Sequence, residues 1–214
     1  MKFILNILKA FLINFCFIGI ILANVSCPSI SPSSAEDSPS HQVEAIISDV
    51  ICSFRGLNSE SNNTFSNTLN LTKKKIIPFI DIEYASELAL GKYWNQLESR
   101  DKIIFERDVK NSLIKDYVGT LAVISNWENI NISVNNNFTQ SDNIAEVEVL
   151  FFIDNENSNQ SANITLKLIH KDRWKIFDLV YLSISILDME RVGYDAKIKR
   201  NGLENLLQIM LKRS

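Results

Sequence analysis

From position 41 onward the apolar residues Val43, Ile46, Ile47, Val50, Ile51 and Phe54 recur at spacings of three and four, which predicts an amphipathic helix. Gly56 and the Asn/Ser-rich stretch up to Asn63 predict its end and a loop. A second helical pattern covers about 69–79, and a third runs from Asp81 to Gly91. Ser99 then caps a long helix reaching about position 124, whose stripe is Ile103, Ile104, Leu113, Ile114, Tyr117, Val118 and Leu121. After Asn126 the period drops to two. Ile130, Ile132 and Val134 alternate with polar residues, as do Ala145, Val147, Val149, Phe151 and Ile153, and then Ile164, Leu166 and Leu168. The segment DNENSNQS predicts a turn between the second and third of these strands, and a last, long strand runs from Trp174 to about position 187. Two short helices, about 189–199 and 203–211, close the chain. Helices, then a meander, then helices predict an α+β domain with one curled antiparallel sheet of about four strands.

The start of the chain carries a different pattern. Residues 1–9 are basic, residues 10–23 (AFLINFCFIGIILA) form an apolar run broken by Asn14, and small and polar residues follow. That order reads as a secretory signal over 1–26, too short in its clean apolar part for the roughly 20 residues of a spanning helix. Ala23 fits the last signal position. A lipoprotein signal would make Cys27 the first mature residue, but Asn24 stands where such signals carry Leu. Residues 27–40, rich in Ser and Pro, form a flexible leader, and 41–214 form the domain. Cys16 is lost with the signal. Cys27 and Cys52 then remain, either as a disulfide or with Cys52 as a small buried hydrophobe.

Charge removes one class of function. The chain carries −3 formally, and residues 1–26 hold Lys2 and Lys9 with no acid, so the body stands at −5. An acidic body offers no footprint for nucleic acid. Asn-x-Ser/Thr triplets recur, among them those beginning at Asn62, Asn70, Asn131, Asn137, Asn159 and Asn163; they would suit glycosylation in a eukaryotic secreted protein, and chance in an Asn-rich composition explains them more simply.

Catalytic and metal motifs are missing. The two histidines, His41 and His170, have no Cys or carboxylate at metal spacing, and no G-x-S-x-G, phosphate-binding loop or dinucleotide fingerprint occurs. Asp81 and Glu83 open a helix, where carboxylates suit the dipole. Asp178 interrupts an apolar strand; it is either held by backbone donors or a base in a cavity, and no partner can be placed for it. The pattern predicts a non-enzyme with no cofactor and no metal.

The order of residues in 76–121 strongly resembles the MlaC family, also called the toluene-tolerance auxiliary component family. Pro78 then Asp81, the turn Ala89-Leu90-Gly91, Trp94, Phe105, and Tyr117 before Leu121 all stand in sequence. A second match is Trp174-Lys175-Ile176-Phe177-Asp178 followed by Ser185, Arg191 and Tyr194, and a third is Asn201-Gly202-Leu203 leading into LLQIML. The likeness spans about 43–211. Leu182 and Ser183 depart from it, standing where the family carries an acidic residue and Gly, which counts against a tight backbone feature at that bend.

The resemblance implies a periplasmic phospholipid carrier of a Gram-negative bacterium, monomeric when free, built as a cone like that of nuclear transport factor around an apolar cavity. It would take a glycerophospholipid between an outer-membrane lipoprotein–porin complex and an inner-membrane ABC transporter with an MCE-domain subunit, maintaining outer-membrane lipid asymmetry. The strand period places Val147, Val149, Phe151, Leu166, Leu168, Val180 and Ile184 on one face toward the lipid, and the long helix adds Ile104, Tyr117 and Leu121. A bulge near Asp178 would turn part of that set to the other face. Arg191 and the run Lys73, Lys74, Lys75 are candidates for head-group or partner contact, the run more simply as a solvated helix face. Two other classes stay open: a ketosteroid-isomerase-like enzyme using Asp178, and a surface lipoprotein.

Overall fold

In the computed structural model, described over residues 38–213 apart from 60–63, 123–126, 137 and 156–157, helices lead, a sheet follows and helices close the chain. The first helix, α1 (Pro39–Ser59), runs through Gly56 rather than ending there. Its apolar stripe holds Val43, Ile46, Ile51 and Phe54 in the core, and that packing overrides the weak helix propensity of one glycine. Thr64 caps α2 (Phe65–Lys75), and a 3-10 turn over Ile77–Phe79 leads to α3 (Ile82–Leu90), capped by Asp81 through Tyr84 N at 2.9 Å. Gly91, at φ 56°, ends α3 in a conformation that favours glycine, and a 3-10 segment buries Trp94 before α4 (Ser99–Ala122).

The strands are β1 (Ile130–Val134), β2 (Thr139–Ser141), β3 (Ile144–Asn155), β4 (Ser158–His170), β5 (Trp174–Tyr181) and β6 (Ile184–Ser185). They form one curled, unclosed antiparallel sheet in the order β1-β3-β4-β5-β6, with β2 also paired to β3. Much of DNENSNQS is strand rather than turn, because the β3–β4 register continues to Asn155 opposite Ser158. The long strand expected to reach position 187 breaks after Tyr181. Leu182 and Ser183 both take positive φ, 49° and 63°, the pattern of a tight two-residue hairpin, and α5 (Ile186–Asn201) begins directly after β6. The tight bend is therefore present without its glycine. Gly202, at φ 84°, separates α5 from α6 (Leu203–Arg213).

Among the described residues the buried side chains gather in three clusters. One joins α1 to a face of β3 and β4: Val43 with Ala145, Val147, Val149, Leu166, Leu168 and Trp174. A second lies where α1 meets the start of the sheet, with Phe54 stacked on Trp127 at 4.4 Å and Arg55 donating to the carbonyls of Trp127 and Ile130. The third is helical, drawing Trp94, Phe105, Tyr194 and Leu206 from the segments around α3 to α6. The fold places the sheet cluster and the helical cluster side by side along β5, where they do not close on each other.

Candidate functional site

The gap between those two clusters is an apolar cavity of about 380 Å3. Strand β5 forms one wall with Ile176, Phe177 and Leu179. Helix α3 supplies Ala85 and Ala89, α4 supplies Val109 and Leu113, and α5 supplies Leu187, Met189 and Tyr194. Ala85 and Ala89, four residues apart, put small side chains on one helix face, and a wall of methyl groups cannot reach the strand opposite.

Both flanking helices are fixed to β5. On one side Asp81 N donates to Ile176 O at 2.8 Å and Arg173 donates to Pro78 O at 3.0 Å. Lys171 lies 3.0 Å from the Asp81 carboxylate, so the β4–β5 turn holds the start of α3. On the other side the buried Asp178 carboxylate accepts from Leu179 N at 2.8 Å, Leu187 N at 3.0 Å and Ser185 Oγ at 2.7 Å. Ser185 in turn accepts from Asp188 N as the cap of α5. Asp178 borders the cavity, and three fixed donors occupy its carboxylate as the anchor of a helix start. Away from β5, Tyr93 Oη donates to Asp195 at 3.1 Å and Lys199 lies 2.6 Å from it, tying the segment after α3 to α5. The Lys199 hydrogen bond, together with Tyr93 and Lys92, holds the Asp195 carboxyl below the usual carboxylate range against the opposing effect of burial.

The ten predicted lining residues are dispersed. Val147, Val149, Leu166 and Leu168 share one sheet face as expected, but α1 covers that face and packs Val43 against them. Phe151 packs beside them, toward α1 and Trp127. Ile104 is buried in the helical cluster, and Leu121 packs beside Trp127. Tyr117 lies on α4, and its side chain is outside the described residues. Val180 and Ile184 need a correction of face. Lys167 pairs with Asp178 but Leu168 pairs with Ile176, so Phe177 is an extra residue on β5. The bulge sets Leu179 opposite Leu166 and sends Val180 to the other face, opposite Thr165 and Ser185, while Ile184 is 52% exposed. None of the nine described residues lines the cavity, whose β5 wall is Ile176, Phe177, Asp178 and Leu179 instead. The double Ala on α3 and the apolar pair Ile176-Phe177 were the available signals for that wall.

Lys73 and Lys74 are exposed, whereas Lys75 turns inward to the buried Asp49 at 2.8 Å, pairing α2 with α1. Arg191 pairs with Asp188 at 2.8 Å on the outer face of α5. Cys52, on α1, is disulfide-bonded, and the other half lies outside the described residues. Predicted signal residues 1–26 also lie outside them. No described helix is long and apolar enough to cross a membrane, and no described cluster of His, Cys, Asp and Glu could hold a metal ion.

Fold and cavity together define an α+β domain with a curled sheet and an apolar space between sheet and helices. Residues 44–212 match the MlaC protein family, and the chain belongs to it. A solved structure of similar fold is the phospholipid-binding protein from Ralstonia solanacearum in complex with a phospholipid. It is 20% identical, at a TM-score of 0.69, over 82% of this chain and 96% of that one. No curated protein matches the sequence.

Proposed function

We infer that this chain carries phospholipid, seating acyl chain in the cavity between β5, α3, α4 and α5. The apolar cavity of about 380 Å3 carries the reading, with support from the MlaC family and from the similar fold solved with a phospholipid. The volume falls at the lower end of the ~300–1,000 Å3 of small-ligand sites. Each methylene withdrawn from water contributes about 0.8 kcal/mol, so a lipid crosses an aqueous space only inside an apolar host. Exchange between membrane and such a host is nearly neutral and requires no cofactor on this chain. In this reading the chain is exported to the periplasm. There it shuttles lipid between an outer-membrane lipoprotein–porin complex and an inner-membrane ABC transporter with an MCE-domain subunit, keeping the outer membrane asymmetric. The anchoring role of Asp178 favours a carrier over an isomerase.

Native mass spectrometry of the protein purified from cells, with lipid extraction, tests the binding step. About one phospholipid per chain is expected, and a lipid-free mass with no uptake from vesicles ends the reading. Osmotic-shock fractionation with N-terminal mass analysis tests export, and a diacylated Cys27 would replace the free carrier with a tethered one.

A further inference from the structure

One face of α1 turns away from the sheet. Val43, Val50 and Phe54 mark the side packed on the core. Ala45, Ser48, Cys52 and Gly56, at spacings of three and four, stand on the opposite side. All four are small, and nothing lies within 4 Å of the point where a side chain on Gly56 would begin. Cys52, in the middle of this row, is disulfide-bonded. The chain has three cysteines, Cys16, Cys27 and Cys52, so the second sulfur comes from the segment ahead of α1. Cys16 stands in the apolar run of the expected signal, which export removes. Cys27 is within reach. Cys52 lies thirteen residues past Pro39, about 20 Å along the helix axis. The eleven peptide steps from Cys27 to Ser38 span up to about 36 Å when extended, and a disulfide holds its Cα atoms roughly 5–6 Å apart.

We propose that Cys27 and Cys52 form this disulfide, fastening the Ser/Pro-rich leader back along the small-residue face of α1 and taking Cys27 out of the lipoprotein route. The bond forms as each thiol gives up a proton and an electron, both electrons passing to a protein disulfide of the exporting compartment, which becomes a dithiol. A lipoprotein anchor would instead join a diacylglycerol to the same Cys27 sulfur as a thioether, and a thioether sulfur cannot also pair with Cys52. One atom therefore decides between a free and a tethered protein. The mature chain keeps Cys27, as cleavage after Ala23 allows. The inference goes beyond the carrier reading and does not depend on lipid binding.

The test expresses the full chain with its own signal in a Gram-negative cell, blocks free thiols with N-ethylmaleimide on lysis, and digests the purified protein without reduction. Mass spectrometry is expected to find a cross-linked peptide pair holding Cys27 and Cys52 and no maleimide on either. The intact mass should be lighter than that of the reduced protein by two hydrogen atoms. Cys52→Ser and Cys27→Ser should each free the remaining thiol, raising its maleimide uptake from almost none to about one per chain. Either variant serves if the other fails to fold. A cross-link through Cys16, maleimide on both cysteines of the unaltered chain, or a diacylglycerol on Cys27 overturns the assignment. So does a Cys52 that stays blocked in Cys27→Ser. None of these readouts involves phospholipid uptake, so the carrier reading stands or falls apart from them.

Discussion

Asp178 shows how one side chain can look like chemistry and act as architecture. Its carboxylate is buried and receives two backbone N–H groups and one hydroxyl, and two of those donors belong to the turn that starts α5. Hydrogen bonds to a charged acceptor are worth about 1.5–3 kcal/mol each way of counting, so Asp178→Asn should lower stability by about 2–3 kcal/mol in urea unfolding. A variant that kept full stability but lost a turnover would return the residue to the catalytic reading. Four residues on, Leu182 and Ser183 hold the β5–β6 hairpin in left-handed conformations that cost about 1–2 kcal/mol apiece for residues with a Cβ. Leu182→Asn with Ser183→Gly should therefore raise stability by about 1–2 kcal/mol, read as a melting point a few degrees higher. No change would mean that the strain is relieved by contacts of Leu182 itself.

Elements were largely legible from periodicity, and their failures have physical causes. The stripe from Val43 to Phe54 located α1, and the alternation from Ala145 to Phe151 located β3 with its correct inward face. Turn composition misled at Asp154 to Asn155, where strand pairing satisfies backbone groups whatever the side chains are. Pairing between elements was harder to read, because a buried ion pair has no period. Asp49 sits 4% exposed by its side chain, beneath Lys75, and the pair joins α1 to α2. Lys75→Met should cost about 3 kcal/mol by leaving the buried carboxylate unpaired, whereas Lys75→Met with Asp49→Leu should cost less than half as much. Equal losses in the two proteins, measured by chemical denaturation, would show that the pair contributes net stability beyond its own desolvation.

At the scale of the whole molecule the cavity exists because two clusters are each complete without the other. The sheet face from Val147 to Leu168 is capped by α1, and the helical cluster is closed by Leu206 and Met210, so neither needs the space along β5. Sequence pattern marks which face of an element is apolar, but which neighbour covers that face is a property of the assembled layers. For that reason the predicted lining fell on a covered face, and the bulge at Phe177 moved Val180 away from it. The small residues of α3 are where the empty space can be tested. Ala89→Phe, with Ala85→Leu as a milder change, adds volume on the helix face that borders the cavity. In the lipid-free protein each should leave stability within about 1 kcal/mol of the original or raise it, as cavity filling commonly does. Phospholipid carried per chain should fall to a small fraction of its original value. Leu168→Ala is the converse: it removes a fully buried side chain from the α1-covered face, costing about 2–5 kcal/mol while folded molecules keep their lipid. If Ala89→Phe unfolded the domain while Leu168→Ala emptied it, lipid would be seated on the sheet face under α1, and the cavity along β5 would be packing space of no functional consequence.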